Sequence, residues 1–136
     1  MTKTVLIVDD DPVSRALIRM VLEYDAYRCM EAENGACAMA LLESDQIDVM
    51  LLDHMMPHLT GLELLTRLKK PSTPLHPHTI MITGMLKAGE RRKAMELGVT
   101  AILEKPYDMG ELRELVSQMC AVCPSSEEDV PSFSQT

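Results

Sequence analysis

The chain has 136 residues, 46% of them apolar and 25% charged, which is enough to bury the core of one domain. Its 21 acidic residues outnumber 13 lysines and arginines, for a net charge of −8; that sign disfavours a protein that binds nucleic acid by neutralising phosphates, so direct nucleic-acid contact is not expected. No apolar run approaches the roughly 18–20 residues of a membrane-crossing helix, and Met1–Thr4 leads into a strand-like segment rather than a signal peptide, so the expectation is a cytoplasmic protein with no membrane partner.

Val5–Val8 is an all-apolar run that stops at Asp9-Asp10-Asp11, the pattern of a strand buried on both faces. Asp11 is then a candidate N-cap with Pro12 at the first helical position, and Val13, Ala16, Leu17, Met20 and Val21 recur at helical spacing. Tyr27–Ala32 reads as a second strand, and Ala36–Glu43 as a helix after Asn34-Gly35. Ile47–Leu52 is a third strand, apolar except for Asp48, ending at Asp53. Thr60 and Glu63 form a capping box for a helix over Gly61–Lys70, and the three prolines between Pro71 and Pro77 exclude regular structure there. Thr79–Ile82 is a fourth strand ending at Thr83-Gly84. Lys87–Leu97 is a helix stopped by Gly98, Ala101–Leu103 a fifth strand before Lys105-Pro106, and Asp108 with Glu111 caps a last helix to about Met119.

Five strands alternating with five helices predict a doubly wound α/β domain with a five-stranded parallel sheet. The apolar periodicity ends near residue 122, so the expected division is a domain over 1–122 and a disordered tail or linker start over 123–136. Aromatic residues make up 3% of the chain and methionines number 12, so aliphatic side chains and thioethers must fill the core. Cys29, Cys37, Cys120 and Cys123 are too few for a disulfide scaffold and are expected as reduced packing residues; the Cys120-x-x-Cys123 pair lacks the second ligand pair a zinc site needs.

Ligands of open α/β sheets bind beyond the carboxyl ends of the strands. The strand ends here carry Asp9 and Asp10, Asp53, Thr83 and Lys105. Three carboxylates in one cleft repel unless a proton or a cation joins them, and an all-oxygen set selects a hard divalent ion such as Mg²⁺ or Mn²⁺. Thr83 and Lys105 are then a hydroxyl donor and a point charge suited to a phosphoryl group.

Four segments and a glycine in order, Val8-Asp9-Asp10-Asp11, Leu52-Asp53-His54-Met55-Met56-Pro57 with Gly61, Ile82-Thr83-Gly84, and Lys105-Pro106-Tyr107, resemble the receiver domain of two-component response regulators over residues 3 to about 120. The resemblance implies the (βα)5 flavodoxin-like fold, with metal ligands at Asp9, Asp10, Asp53 and the backbone carbonyl of Met55. Asp53 would be the phosphoacceptor, attacking the phosphorus of a phosphohistidine in line while the metal and Lys105 neutralise the equatorial oxygens. The implied donor is a sensor histidine kinase or histidine phosphotransfer protein. Thr83 would then move towards the phosphoryl oxygens and bias the face formed by the fourth helix, fifth strand and fifth helix, where a downstream protein or an output domain outside this chain would bind and a homodimer could form. On this reading the chain is no enzyme beyond promoting its own phosphotransfer and dephosphorylation.

Two residues depart from the family pattern. Ile102 stands where the family usually carries a Tyr or Phe that turns inward with the threonine, so the coupling is expected to be weaker or carried by other residues. Gly84 replaces a frequent Ala after Thr83, leaving the path to Asp53 open. His54 is expected to shape access to Asp53, and Glu90-Arg91-Arg92-Lys93 to be a solvated helix face that could touch a partner. Two other readings use the same residues: a haloacid-dehalogenase-like phosphohydrolase with Asp9 as nucleophile, which would leave Asp53 without a task, and a degenerate receiver acting as a constitutive docking module.

Overall fold

The computed structural model describes residues 2–68 and 77–121. The expected end of the third helix at Lys69-Lys70, most of the proline loop with His76, Cys123 and the expected boundary and tail lie outside the described residues.

The elements follow in the order β1 (Thr4–Val8), α1 (Pro12–Tyr24), β2 (Arg28–Ala32), α2 (Gly35–Ser44), β3 (Val49–Asp53), α3 (Gly61–Leu68), β4 (His78–Thr83), α4 (Ala88–Glu96), β5 (Ala101–Glu104) and α5 (Met109–Ala121). The strands form one parallel sheet in the order β2-β1-β3-β4-β5, as the alternation of strand and helix requires. The register sets Val8 beside Leu52 and Asp53 beside Ile82, so the ends of β1, β3 and β4 reach one rim.

Alternate strand residues divide between two cores. Leu6, Val8, Met50, Leu52 and Met81 pack with Ala38 of α2, Leu64 and Leu65 of α3, and Ala94 of α4. Val5, Ile7, Val49, Leu51, Ile80 and Ile82 pack with Ile18 and Leu22 of α1 and with Leu112 and Val116 of α5. Each such large side chain removed from water contributes about 1.5–3 kcal/mol, which makes these two layers the main support of the rim above them. Methionines serve as filler only in part: Met50 and Met81 are fully buried, whereas Met20, Met55, Met85 and Met95 are exposed.

Capping explains most of the helix starts. The Asp11 side chain accepts from the Val13 N–H at 3.0 Å, and Asn34 from the Cys37 N–H at 2.8 Å. The Thr60–Glu63 and Asp108–Glu111 pairs form reciprocal caps, each side chain accepting the other's backbone N–H. Gly98, at φ 100°, follows α4 in a conformation that favours glycine.

Several expectations need correction. The stripe Val13, Ala16, Leu17, Met20 and Val21 does not face the core: Val13 (64%), Leu17 (47%) and Met20 (61%) are exposed, and Ile18 and Leu22 are the buried residues of α1. Both stripes have helical spacing, and docking chooses between them: Ile18 and Leu22 pack into the apolar core on the sheet, while Arg15 and Arg19 beside them reach Glu31 on β2. β3 begins at Val49 and includes Asp53; Asp48 instead precedes the strand and accepts the Thr4 N–H at 2.8 Å. α4 is shorter than expected, since Lys87 is its N-cap and Leu97 its C-cap. Cys29 packs as expected, with burial pushing its thiol up to about 11, but Cys37 is exposed.

Candidate functional site

Asp9 follows the last residue of β1, held from both sides of its own backbone. Its N–H donates to the Ala32 carbonyl at 3.1 Å, and its carbonyl accepts from Arg15 Nη1 at 2.7 Å. Its side chain accepts the Asp11 N–H at 2.9 Å, which folds the acidic run back across the strand end. Asp9 is 6% exposed, while Asp10 beside it is open to solvent. The Arg15 clamp was not read from the sequence; its position one turn beyond the Asp11 cap is the signal that could have revealed it.

Asp53 closes β3 and is 5% exposed. The Met55 N–H donates to Asp53 Oδ1 at 3.2 Å, and Lys105 Nζ stands 3.5 Å from Asp53 Oδ2. Burial pushes the Asp53 carboxyl up to about 6; the ammonium of Lys105 pulls it down and the charge of Asp9 pushes it up again. One oxygen each from Asp9, Asp10 and Asp53 lies within 4.8 Å of the others. An all-oxygen set whose buried member resists ionising fits a hard divalent cation, which would remove the repulsion between the acids.

Gly61 lets α3 approach the acceptor strand. A Cβ at this position would lie 3.0 Å from His54 Cα and 3.3 Å from the Asp53 carbonyl oxygen. Its N–H donates to the His54 carbonyl at 2.9 Å, so the loop after Asp53 is tied to the start of α3.

Thr83 ends β4 fully buried, with its hydroxyl bonded to both the N–H and the carbonyl of Met85 at 3.2 Å. Its own carbonyl accepts the Lys105 N–H at 2.8 Å, which links the two residues that end β4 and follow β5. A Cβ on Gly84 would meet nothing within 4 Å. The Lys105–Pro106 bond is cis. Tyr107 is half-buried against the α1–α5 side of the core, and burial with the charges of Asp9 and Asp53 pushes its hydroxyl above the usual range.

Ile102 is only partly buried and packs against the core that includes Met81, its register partner. With Arg91, Glu104, Lys105, Pro106 and Glu111 it lines an open groove of about 580 Å³ between β5 and the helices beside it. His54 does not shape access to Asp53. It is 3% exposed, and its Nε2 faces Glu90 of α4 at 3.8 Å. The charged run of α4 is solvated as expected, with Arg91, Arg92 and Lys93 exposed, although Glu90 also caps the helix and Arg91 pairs with Glu104 at the surface. Lys105 faces Asp53, so the acid that this cation serves is the one a nucleophilic Asp9 would leave without a task.

Residues 5–117 match the family profile of the response regulator receiver domain. The chain is 37% identical over 120 residues to the phosphate regulon transcriptional regulatory protein PhoB of Pseudomonas aeruginosa, covering 88% of this chain and 51% of that protein. It is 31% identical over 134 residues to the response regulator MprA of Mycobacterium avium, covering 97% of this chain and 57% of that one. It therefore spans about half the length of these two relatives. Among solved structures, TrrA of Thermotoga maritima in complex with Mg(2+)-BeF is similar with a TM-score of 0.73 at 28% identity, over 87% of this chain and 99% of that one. The chemotaxis protein CheY4 of Vibrio cholerae, at 24% identity over 88% of this chain and 99% of that one, shares the fold with a TM-score of 0.80.

Proposed function

This chain belongs to the response regulator receiver domain family, and from that premise we propose that it takes a phosphoryl group onto Asp53 from a phosphohistidine and answers by changing a protein-binding surface. The observation that carries the reading is the meeting of Lys105 Nζ with Asp53 Oδ2 at 3.5 Å, on the rim where three acids offer oxygens within 4.8 Å of one another.

Asp53 is the nucleophile. One of its carboxylate oxygens bonds to phosphorus as the P–N bond to the donor imidazole breaks, and the imidazole leaves with that electron pair. Lys105 supplies a positive charge on the side where the phosphoryl oxygens gather, and the Met55 N–H holds the other Asp53 oxygen in place. Asp9, Asp10, Asp53 and the Met55 carbonyl would hold Mg²⁺ or Mn²⁺, which when bound supplies the remaining charge neutralisation at phosphorus. Thr83 then exchanges its bonds with Met85 for one to a phosphoryl oxygen and draws the β4–α4 loop with it. The donor proposed is a sensor histidine kinase or a histidine phosphotransfer protein, and the responding surface is the α4–β5–α5 face, which would take a downstream protein or a second copy of the chain. Such a domain promotes only its own phosphotransfer and dephosphorylation. Among the described residues no helix is long and apolar enough to cross a membrane; the location proposed with this function is the cytoplasm.

Acetyl phosphate with Mg²⁺, followed by peptide mass spectrometry, tests the reading. Modification is expected on residue 53, lost in Asp53→Asn and strongly slowed in Asp9→Asn or by a chelator. A label on another residue, or indifference to chelation, overturns it.

A further inference from the structure

We propose that His54 and Glu90 form a latch that ties the phosphoacceptor strand directly to the first turn of α4. The proposal rests on the reading above only for what releases the latch, since its existence is a property of the unmodified protein. His54 adjoins Asp53 and is almost completely buried. Its backbone is held at both ends: its N–H donates to the Ile82 carbonyl at 3.0 Å, and its carbonyl accepts the Gly61 N–H at 2.9 Å. These bonds fix the backbone of His54 between β4 and α3, and the close packing around its buried ring leaves little room to follow a moving neighbour.

The ring's two nitrogens have different surroundings. Nδ1 is buried with no hydrogen-bond partner, whereas Nε2 stands 3.8 Å from Glu90 Oε2. Placing the proton on Nε2 leaves a lone pair rather than an unpaired N–H at the buried nitrogen, and aims the donor at the carboxylate.

Glu90 has a second task with its other oxygen. Oε1 accepts the Lys87 N–H at 3.0 Å, and the Glu90 N–H donates to the Lys87 carbonyl at 2.9 Å. Lys87 occupies the N-cap with a side chain that has no acceptor, so the start of α4 depends on this carboxylate. One carboxylate thus bonds the helix cap with one oxygen and sets the other beside the residue after Asp53, at a separation where the attraction is electrostatic rather than a closed hydrogen bond. When Thr83 gives up Met85, two residues before Lys87, the cap is pulled while His54 stays pinned, and the contact must open. His54 is a positioning residue and touches no reacting atom. The latch offers this chain a route from Asp53 to α4 that bypasses position 102, where Ile provides no ring to turn.

Amide hydrogen exchange of residues 85–93 in the full, unmodified chain tests the latch. Glu90→Gln keeps an acceptor for Lys87 but sets an uncharged amide against the imidazole, and His54→Leu removes the donor. Each is expected to speed exchange in this segment about threefold or more, and the double variant no further than the faster single, the mark of one shared interaction. His54→Gln, which restores an N–H of similar reach, is expected to return exchange to within about twofold of wild type. Wild-type exchange in Glu90→Gln, or additive effects in the double variant, overturns the latch; should His54→Leu fold poorly, His54→Phe takes its place in the cycle, because Glu90→Gln also weakens the cap of α4. Beryllofluoride with Mg²⁺ should speed exchange of the same segment in wild type and change it less in Glu90→Gln. If beryllofluoride leaves wild type untouched while the variants behave as expected, the phosphoacceptor reading fails and the latch stands.

Discussion

The acidic rim and the start of α4 lie on the same side of the sheet but are built to opposite standards. At the rim, the Asp9 backbone is held by Ala32 and Arg15, its side chain by Asp11, and Asp53 by Met55 and Lys105, over strands with no exposed residue. α4 buries only Ala94, begins at a lysine cap followed by an exposed Gly89, and is preceded by Gly84 with open space around it and by Met85 at 79% exposure. Glycine in a first turn and a cap without an acceptor both lower the cost of unwinding. The contrast teaches where the molecule can move: the groups proposed to meet phosphorus are held in advance, and the element proposed to answer is loosely attached.

The comparison breaks first at Lys105. Lys105→Ala should slow phosphoryl uptake from acetyl phosphate by about 10²-fold, the usual loss for one charge aimed at a transition state. Because this side chain is 43% exposed, unfolding stability should change by less than about 1 kcal/mol. A quench time course beside a urea titration separates the two, and equal losses in both would mean that Lys105 holds the fold rather than the phosphoryl group.

Tension at the rim is the next point to test. Burial and Asp9 both oppose the charge on Asp53, so with divalent ions chelated at neutral pH, Asp53→Asn should raise stability by about 1–3 kcal/mol. Unchanged or lower stability in thermal unfolding would remove the argument that the acids need a cation.

Gly61→Ala measures how closely the rim is packed. The added Cβ would sit 3.0 Å from His54 Cα, and a shift of α3 costing about 1–3 kcal/mol is expected, whereas Gly84→Ala should be tolerated. Similar effects at the two glycines would erase the difference between the regions.

The smallest effect concerns pH. Glu31 is held below the usual carboxylate range, first by its hydrogen bond to Arg19 and then by Arg15. A depressed carboxyl contributes stability that is present above its unfolded value near 4.5 and is lost as pH falls through the lowered one. Glu31→Gln should therefore flatten the acid limb of the stability curve, by less than about 1 kcal/mol for a pair this open to solvent.

The positions of the candidate site residues were legible because each ends or closely follows a largely apolar strand, and a parallel sheet delivers its strand ends to one rim whatever the details of packing. Capping residues were legible for a similar reason, since Thr60 with Glu63 and Asp108 with Glu111 act within four residues of chain. The face of α1 was not. Val13, Leu17 and Met20 share the spacing of a core stripe, and the docking of α1 on the sheet buries Ile18 and Leu22 instead, with Arg15 and Arg19 bonding to Glu31 of β2 beside them. His54 was misjudged in the same manner, because adjacency along the chain suggested the acceptor's entrance while the pleat of β3 and the bond to Ile82 turn its ring towards α4.

Local pattern by itself determined the order of elements, their caps and the residues that end the strands, since these depend on interactions within a few residues. Tertiary packing alone decided that Lys105 meets Asp53, that Arg15 clamps Asp9 and that His54 reaches Glu90. Two of these contacts join segments far apart in the chain, while Arg15 reaches back only six residues to Asp9, and their geometry exists only once the sheet has set the register and the helices have closed over it.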